Sequence, residues 1–134
     1  MGEEEDYRDL STAALVQRMG ITLVEASPER AVATMPVEGN TQPFGLLHGG
    51  ASCTLAETLG SVAASLHAQE AVGGYALGID ISATHHRGVR SGMVTGVATA
   101  LHRGGSVATY DIVITNESGE RVCTARLTCI IRRP

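Results

Sequence analysis

One stretch constrains this chain more than any other. From Ala51 to Gln69 there is no proline, one glycine and five alanines. Leu55, Leu59, Val62 and Leu66 recur at the 4-3-4 spacing of a helical stripe, which predicts a long helix with an apolar face against a core. Around it lie β-rich segments too short to bury themselves, so the fold expected is α+β, with an antiparallel sheet wrapped around that one helix.

The other face of the predicted helix carries Thr54, Glu57, Gly60, Ser61 and Ala64, all small or polar. Glu57 is the one carboxylate in an otherwise apolar run, on a side that another molecule can approach. Just ahead, Gly49 and Gly50 offer backbone N–H groups at the positive end of the helix dipole, with no side chain in the way. Such a place stabilises a carbonyl oxygen that gains negative charge. An oxyanion site and a carboxylate able to act as base or nucleophile are the two parts that acyl-transfer hydrolysis needs.

The remaining elements follow in order. Residues 1–6 read as a solvated acidic tail, Tyr7 to Met19 as a short helix stopped by Gly20, and Ile21 to Glu25 and Arg30 to Val37 as strands of a hairpin with Pro28 in its turn. The loop Glu38 to Leu47 leads into the long helix. After Gly73-Gly74 a strand runs from Tyr75 to His86, and its alternation puts Tyr75, Leu77, Ile79, Ile81, Ala83 and His85 on one face. Strands follow at Met93 to Leu101, Ser106 to Thr115 and Glu120 to Ile131. Cys123, Ala125, Leu127, Cys129 and Ile131 are expected to face inward against Tyr110, Ile112 and Ile114. The division expected is a tail and short helix over 1–19, then a single domain over 20–134.

Composition bounds the function. The net charge is −4 and all ten basic residues are arginine, so nothing attracts nucleic acid or an anionic membrane in general. Phosphate contacts must be local, and Arg87, Arg90 and Arg103, at strand ends, are where a phosphate-bearing substrate would find them. Aromatics are only 3 % with no tryptophan, a core that would gain from a partner's surface. The odd cysteines Cys53, Cys123 and Cys129 read as buried reduced thiols, no leader or apolar span is recognisable, and a cytoplasmic location is expected. The five histidines show no metal-ligand spacing, and His85 and His86 point to opposite faces of a strand, so no metal is expected.

The run PFGLLHGGASCTLAETLGSVAA, with GIDISATHHR and ALHRGGSVATYDIVI, resembles the hotdog-fold acyl-CoA thioesterases, in the branch of the 4-hydroxybenzoyl-CoA and phenylacetate-pathway enzymes. The similarity extends over roughly Gly20 to Ile131. It implies a single hotdog domain, an acyl-CoA substrate with an aryl or medium-chain acyl group, and hydrolysis without a cofactor. It also implies that Glu57 is the catalytic carboxylate, that Gly49 supplies the carbonyl-polarising N–H, and that Gln42 and His48 contact the thioester and leaving group. Gly50, Thr58, Ser61 and His85 join Arg87, Arg90 and Arg103 as substrate-binding candidates. In Thr58 the hydroxyl the family often carries on serine gains a methyl, and the Ser61 hydroxyl, one turn from Glu57, is in reach of its carboxylate or a water.

Two other functions fit the same pattern. A hotdog dehydratase or hydratase would need a His–Asp pair, whereas this helix carries Glu57 without such a partner; a non-catalytic acyl-CoA binding module would bind without releasing thiol. Spacing adds an expectation about assembly. His48 and Glu57 are nine positions apart, about 13 Å along one helix axis, too far to share one thioester carbon. A second helix running antiparallel beside the first, close to Gly60, Ser61 and Ala64, would bring the two ends together. The resemblance implies the same, with the Tyr75 to His86 strand pairing across a homodimer that assembles into a homotetramer.

Overall fold

The computed structural model describes residues 6–134, so the acidic tail, save Asp6, lies outside the described residues. Its elements are α1 (Ala14–Met19), β1 (Thr22–Ala26), β2 (Arg30–Pro36), α2 (Gly49–Val72), β3 (Tyr75–His85), β4 (Met93–Arg103), β5 (Val107–Thr115) and β6 (Arg121–Arg132). All six strands form one sheet in the order β1-β2-β4-β5-β6-β3, every neighbouring pair antiparallel. The sheet curls around α2, which contacts five of the strands. Among the described residues no helix is long and apolar enough to cross a membrane.

Small residues let the sheet close this tightly. Ala31, Ala33, Ala98 and Gly96 line its concave side, and a Cβ on Gly96 would lie 2.6 Å from Leu59 Cδ1. From β5 and β6 come the inward residues the alternation predicts: Tyr110, Ile112, Ile114, Cys123, Ala125, Leu127, Cys129 and Ile131 are all buried. The leucine stripe of α2 is buried too.

Three expectations are corrected. α1 begins at Ala14, not near Tyr7. Ahead of it, the Ser11 N–H donates to Asp9 Oδ1 at 3.0 Å and the Ala13 N–H to the Leu10 carbonyl at 3.0 Å, so side-chain and turn bonds take the backbone groups a longer helix would use. Gly60 and Ala64 do not form an open face. Both are buried, because the sheet covers more of α2 than its leucine stripe alone demands. A Cβ on Gly60 would stand 2.6 Å from Leu127 Cδ2; the glycine admits the sheet, not a second helix. What α2 leaves accessible in its middle is a narrow strip of Thr54, Glu57, Thr58 and Ser61.

The third correction concerns β3. Its pairing with β6 runs Gly78↔Cys129 and then Asp80↔Thr128, a bulge with Ile79 as the extra residue. Before the bulge Ala76 is buried while Tyr75, Leu77 and Ile79 are exposed; after it Ile81 and Ala83 pack on the core. The bulge is therefore what turns Ile81 and Ala83 inward and puts the exposed His85 on the same face, beside Gly49. It also leaves an apolar row on an edge strand hydrogen-bonded on one side only.

Leu127 is the keystone beneath the strip, 1 % exposed with one methyl on Gly60 and the other on Gly78. Leu127→Ala is expected to cost about 3 kcal/mol, because neither glycine has a side chain to refill the cavity. Thermal melts at fixed protein concentration should show a drop of roughly 10 °C; an unchanged midpoint would contradict this packing.

Candidate active site

The N-terminus of α2 is built by the loop before it. The Gln42 N–H donates to the Leu46 carbonyl at 2.8 Å and the Gly45 N–H to the Gln42 carbonyl at 3.0 Å, a turn that Gly45 completes at φ 79°. The Gln42 side-chain oxygen accepts from the Phe44 N–H, and its NH2 group has no acceptor among the described residues. Arg90 Nη1 donates to the Phe44 carbonyl at 3.1 Å and clamps the loop from outside.

His48 is the N-cap. Its Nδ1 accepts from the Gly50 N–H at 2.8 Å, so in the neutral ring the proton sits on Nε2. Capping engages Gly50 but leaves Gly49 free. Among the described residues the Gly49 N–H has no acceptor, as the geometry of a first helical turn requires. Beside it stands His85: a Cβ on Gly49 would lie 2.8 Å from His85 Nε2. Only glycine lets the histidine and the free N–H share this place.

Glu57 projects from the exposed strip of α2. Its carboxylate has no hydrogen bond or ion pair among the described residues. Its charge reaches Cys53, whose thiol is pushed up first by burial and then by Glu57, and Cys129, which burial raises to about 11. No hydrogen bond joins the Ser61 hydroxyl to Glu57 among the described residues, and the Thr58 hydroxyl donates to the Thr54 carbonyl at 2.7 Å. Neither hydroxyl holds the carboxylate.

These groups fall into three clefts along α2. One of about 300 Å³ joins Gln42, Gly49 and His85 with Ser52, His86 and Arg87. A second, of about 310 Å³, holds His48, Gly50 and Thr54. The third, of about 370 Å³, holds Glu57, Thr58 and Ser61 with Thr54 and Leu15 of α1. Within one chain, then, Gln42 and Gly49 are on one cleft and the Glu57 carboxylate on another.

The arginines also separate. Arg87 borders the first cleft and pairs with Glu120 at 3.2 Å, and Arg90 is on the loop above it. Arg103 ends β4 at the opposite end of the sheet, paired with Glu29 at 3.2 Å. No cluster of three or more metal-ligating side chains occurs among the described residues. Ser52, Leu15 and Gly78 were not expected near the site. Only Gly78 carried a sign in the sequence, a glycine inside a strand, which marks a bulge or a close approach.

Residues 44–123 match the thioesterase superfamily. The chain belongs to this superfamily. It is 47 % identical over 122 residues to a protein named proofreading thioesterase EntH from Cronobacter sakazakii, an alignment covering 90 % of this chain and 88 % of the relative. A crystal structure of a thioesterase from Haemophilus influenzae superposes with a TM-score of 0.87 at 38 % identity, over 99 % of this chain and 92 % of that one. A mutant thioesterase from Pseudomonas aeruginosa gives 0.84 at 39 % identity, over 96 % and 94 %. The sheet around one long helix is the hotdog fold, and this thioesterase superfamily member is a thioester hydrolase.

Proposed function

We propose that this thioesterase hydrolyses acyl-CoA, with an aryl or medium-chain acyl group, at a site shared by two copies of the chain. The observation that carries the reading is the exposed Glu57 carboxylate, unpaired in a cleft, on the helix whose free N–H is at Gly49. A carboxylate free of partners is available to a water or a thioester carbon.

In the proposed reaction the Gly49 N–H and the Gln42 NH2, both lining one cleft, hold the thioester oxygen as it gains charge. Glu57 of the other copy takes a proton from the water that attacks the carbonyl carbon, or attacks that carbon itself to give a mixed anhydride that water then cleaves, returning the free carboxylate and the acid. The C–S bond breaks, and CoA leaves as thiolate and takes up a proton. His48 Nε2–H is assigned the proton donated to the leaving group. His85, beside Gly49, and Gly50, Thr58 and Ser61 shape the walls. The apolar row of Tyr75, Leu77 and Ile79 on the unpaired edge of β3 supports pairing of two copies there, a homodimer able to assemble further into a homotetramer. Three unpaired cysteines fit a cytoplasmic setting.

Arg87 and Arg90, beside the cleft of Gln42 and Gly49, are proposed to meet the CoA phosphates. Arg103 is left out, since its Glu29 pair is at the far end of β4. Replacing Arg87 and Arg90 together with alanine is expected to raise KM about ten-fold with kcat nearly unchanged. A thioester lacking the nucleotide should not respond. Equal loss with both substrates would remove the assignment. The substrate class itself is tested with benzoyl-, phenylacetyl- and straight-chain CoA thioesters by free-thiol release: turnover of at least one acyl-CoA above the uncatalysed rate is expected, and none across the panel would overturn the reading.

A further inference from the structure

We propose that Gly78, at the bulge of β3, is a positioning residue that seats the Glu57 carboxylate. The proposal rests on the reading of Glu57 as the reacting group, and it concerns what holds that group in place.

A side chain at Gly78 would have two neighbours. Its Cβ would lie 2.9 Å from Glu57 Oε2, closer than real Cβ atoms come, and 3.4 Å from Leu127 Cδ1, an ordinary contact. The carboxylate carbon would be 3.5 Å away. Gly78 is not among the glycines with positive φ, so its backbone suits any residue and glycine is not required for the turn of the chain. Packing on Leu127 does not require it either. The single group that needs the missing Cβ is the carboxylate of Glu57.

The seat matters because no other group of the same chain, among the described residues, bonds this side chain. Glu57 has no hydrogen bond or ion pair among the described residues, and the nearby Thr58 hydroxyl donates to the Thr54 carbonyl. Leu127 supports the Gly78 side and α2 fixes the Cα; the bare backbone of β3 then sets how far the carboxylate can withdraw toward the sheet. Because the contact is to the tip of a flexible side chain, a methyl group here displaces the carboxylate by a fraction of an ångström up to about 1 Å rather than opening the core, and misplacement of that size in a reacting group costs on the order of 10²-fold in rate.

The test is thioester hydrolysis by the full chain carrying Gly78→Ala, read as kcat and KM separately beside thermal melting. The expected result is a loss in kcat of roughly 10- to 100-fold, KM within about two-fold, and an unchanged melting midpoint. A second comparison isolates the contact. In a Glu57→Asp background the shorter side chain no longer reaches the new methyl, so adding Gly78→Ala should cost less than about three-fold more. Full kcat in Gly78→Ala, or the same loss in both backgrounds, would overturn the proposal. If Gly78→Ala alone fails to fold, Glu57→Ala/Gly78→Ala decides: recovery of folding ties the clash to the carboxylate, and continued failure gives Gly78 a purely structural role and ends the proposal. Glu57→Ala alone keeps the two claims apart, since full activity there would sink the reading of Glu57, whereas an inactive Glu57→Ala beside a fully active Gly78→Ala would sink only the seat.

Discussion

Glu57→Ala is expected to lower kcat by about 10³-fold or more while KM changes only a few-fold. That rate loss corresponds to about 4 kcal/mol of transition-state stabilisation, the size expected when a nucleophile or general base is removed and the binding contacts stay. The fold should not notice. Glu57 is exposed and unpaired, and truncating a surface side chain usually stays within about 0.5 kcal/mol, so melting of the variant should match wild type. Glu57→Gln is the sharper control, keeping shape and reach but removing the charge; it should fall as far as alanine. Glu57→Asp should also be slow, because the carboxylate withdraws by about one C–C bond from a site that tolerates little misplacement. Near-wild-type thiol release by Glu57→Ala would leave the cleft beside Leu15 without a chemical role.

Parts of this were legible in the residues, and the reasons differ from part to part. α2 announced itself because a leucine stripe and a proline-free run have few other solutions; its first turn, starting at Gly49 ahead of Ala51, depends on the His48 cap, which a glycine pair conceals. The inward rows of β5 and β6 read correctly because polar residues such as Thr109, Asp111, Thr124, Arg126 and Thr128 mark the opposite face. Gly60 and Ala64 did not. A small residue facing the sheet and a small residue facing an open groove have the same pattern, and α2 is covered on so many sides that its periodicity carries little contrast. β3 failed differently: the residue inserted at its bulge, Ile79, is itself apolar, so the alternation seemed unbroken while Tyr75 and Leu77 had moved to the outer face. His85 still came out on the face toward α2, although exposed. It lies beyond the bulge, in the half of the strand where the two readings coincide.

The site follows the same division. Gly49 and Glu57 stand out physically, as a side-chain-free helix start and a lone carboxylate in an apolar run. Gln42 and His48 do not, since a loop glutamine and a capping histidine have ordinary structural uses; the resemblance singled them out. The three arginines looked alike as charges at turns, and only the fold separates Arg87 and Arg90 from Arg103. Ser61 was expected within reach of the carboxylate; it shares the cleft with Glu57 and Thr58, but its hydroxyl makes no bond to Glu57 among the described residues, and that of Thr58 donates to the Thr54 carbonyl.

The central claim is that two chains build each site, and subunit exchange tests it most directly. Gly49 and Glu57 are eight positions apart on α2, about 12 Å along the axis, and they open onto different clefts, so one chain cannot apply both to one thioester carbon. A two-fold pair would bring the Gln42, His48 and Gly49 end of one helix to Glu57 of the other, twice over. One preparation carries Glu57→Ala and a second carries Gln42→Ala with His48→Ala, and each alone should be inactive. Mixed under conditions where exchange is verified by two affinity tags, the heterodimer holds one site with both defects and one with neither. About a quarter of wild-type activity is then predicted, from half the dimers being mixed and each regaining one of two sites. Confirmed exchange with no recovered turnover would contradict the account and place all the reacting groups within a single chain.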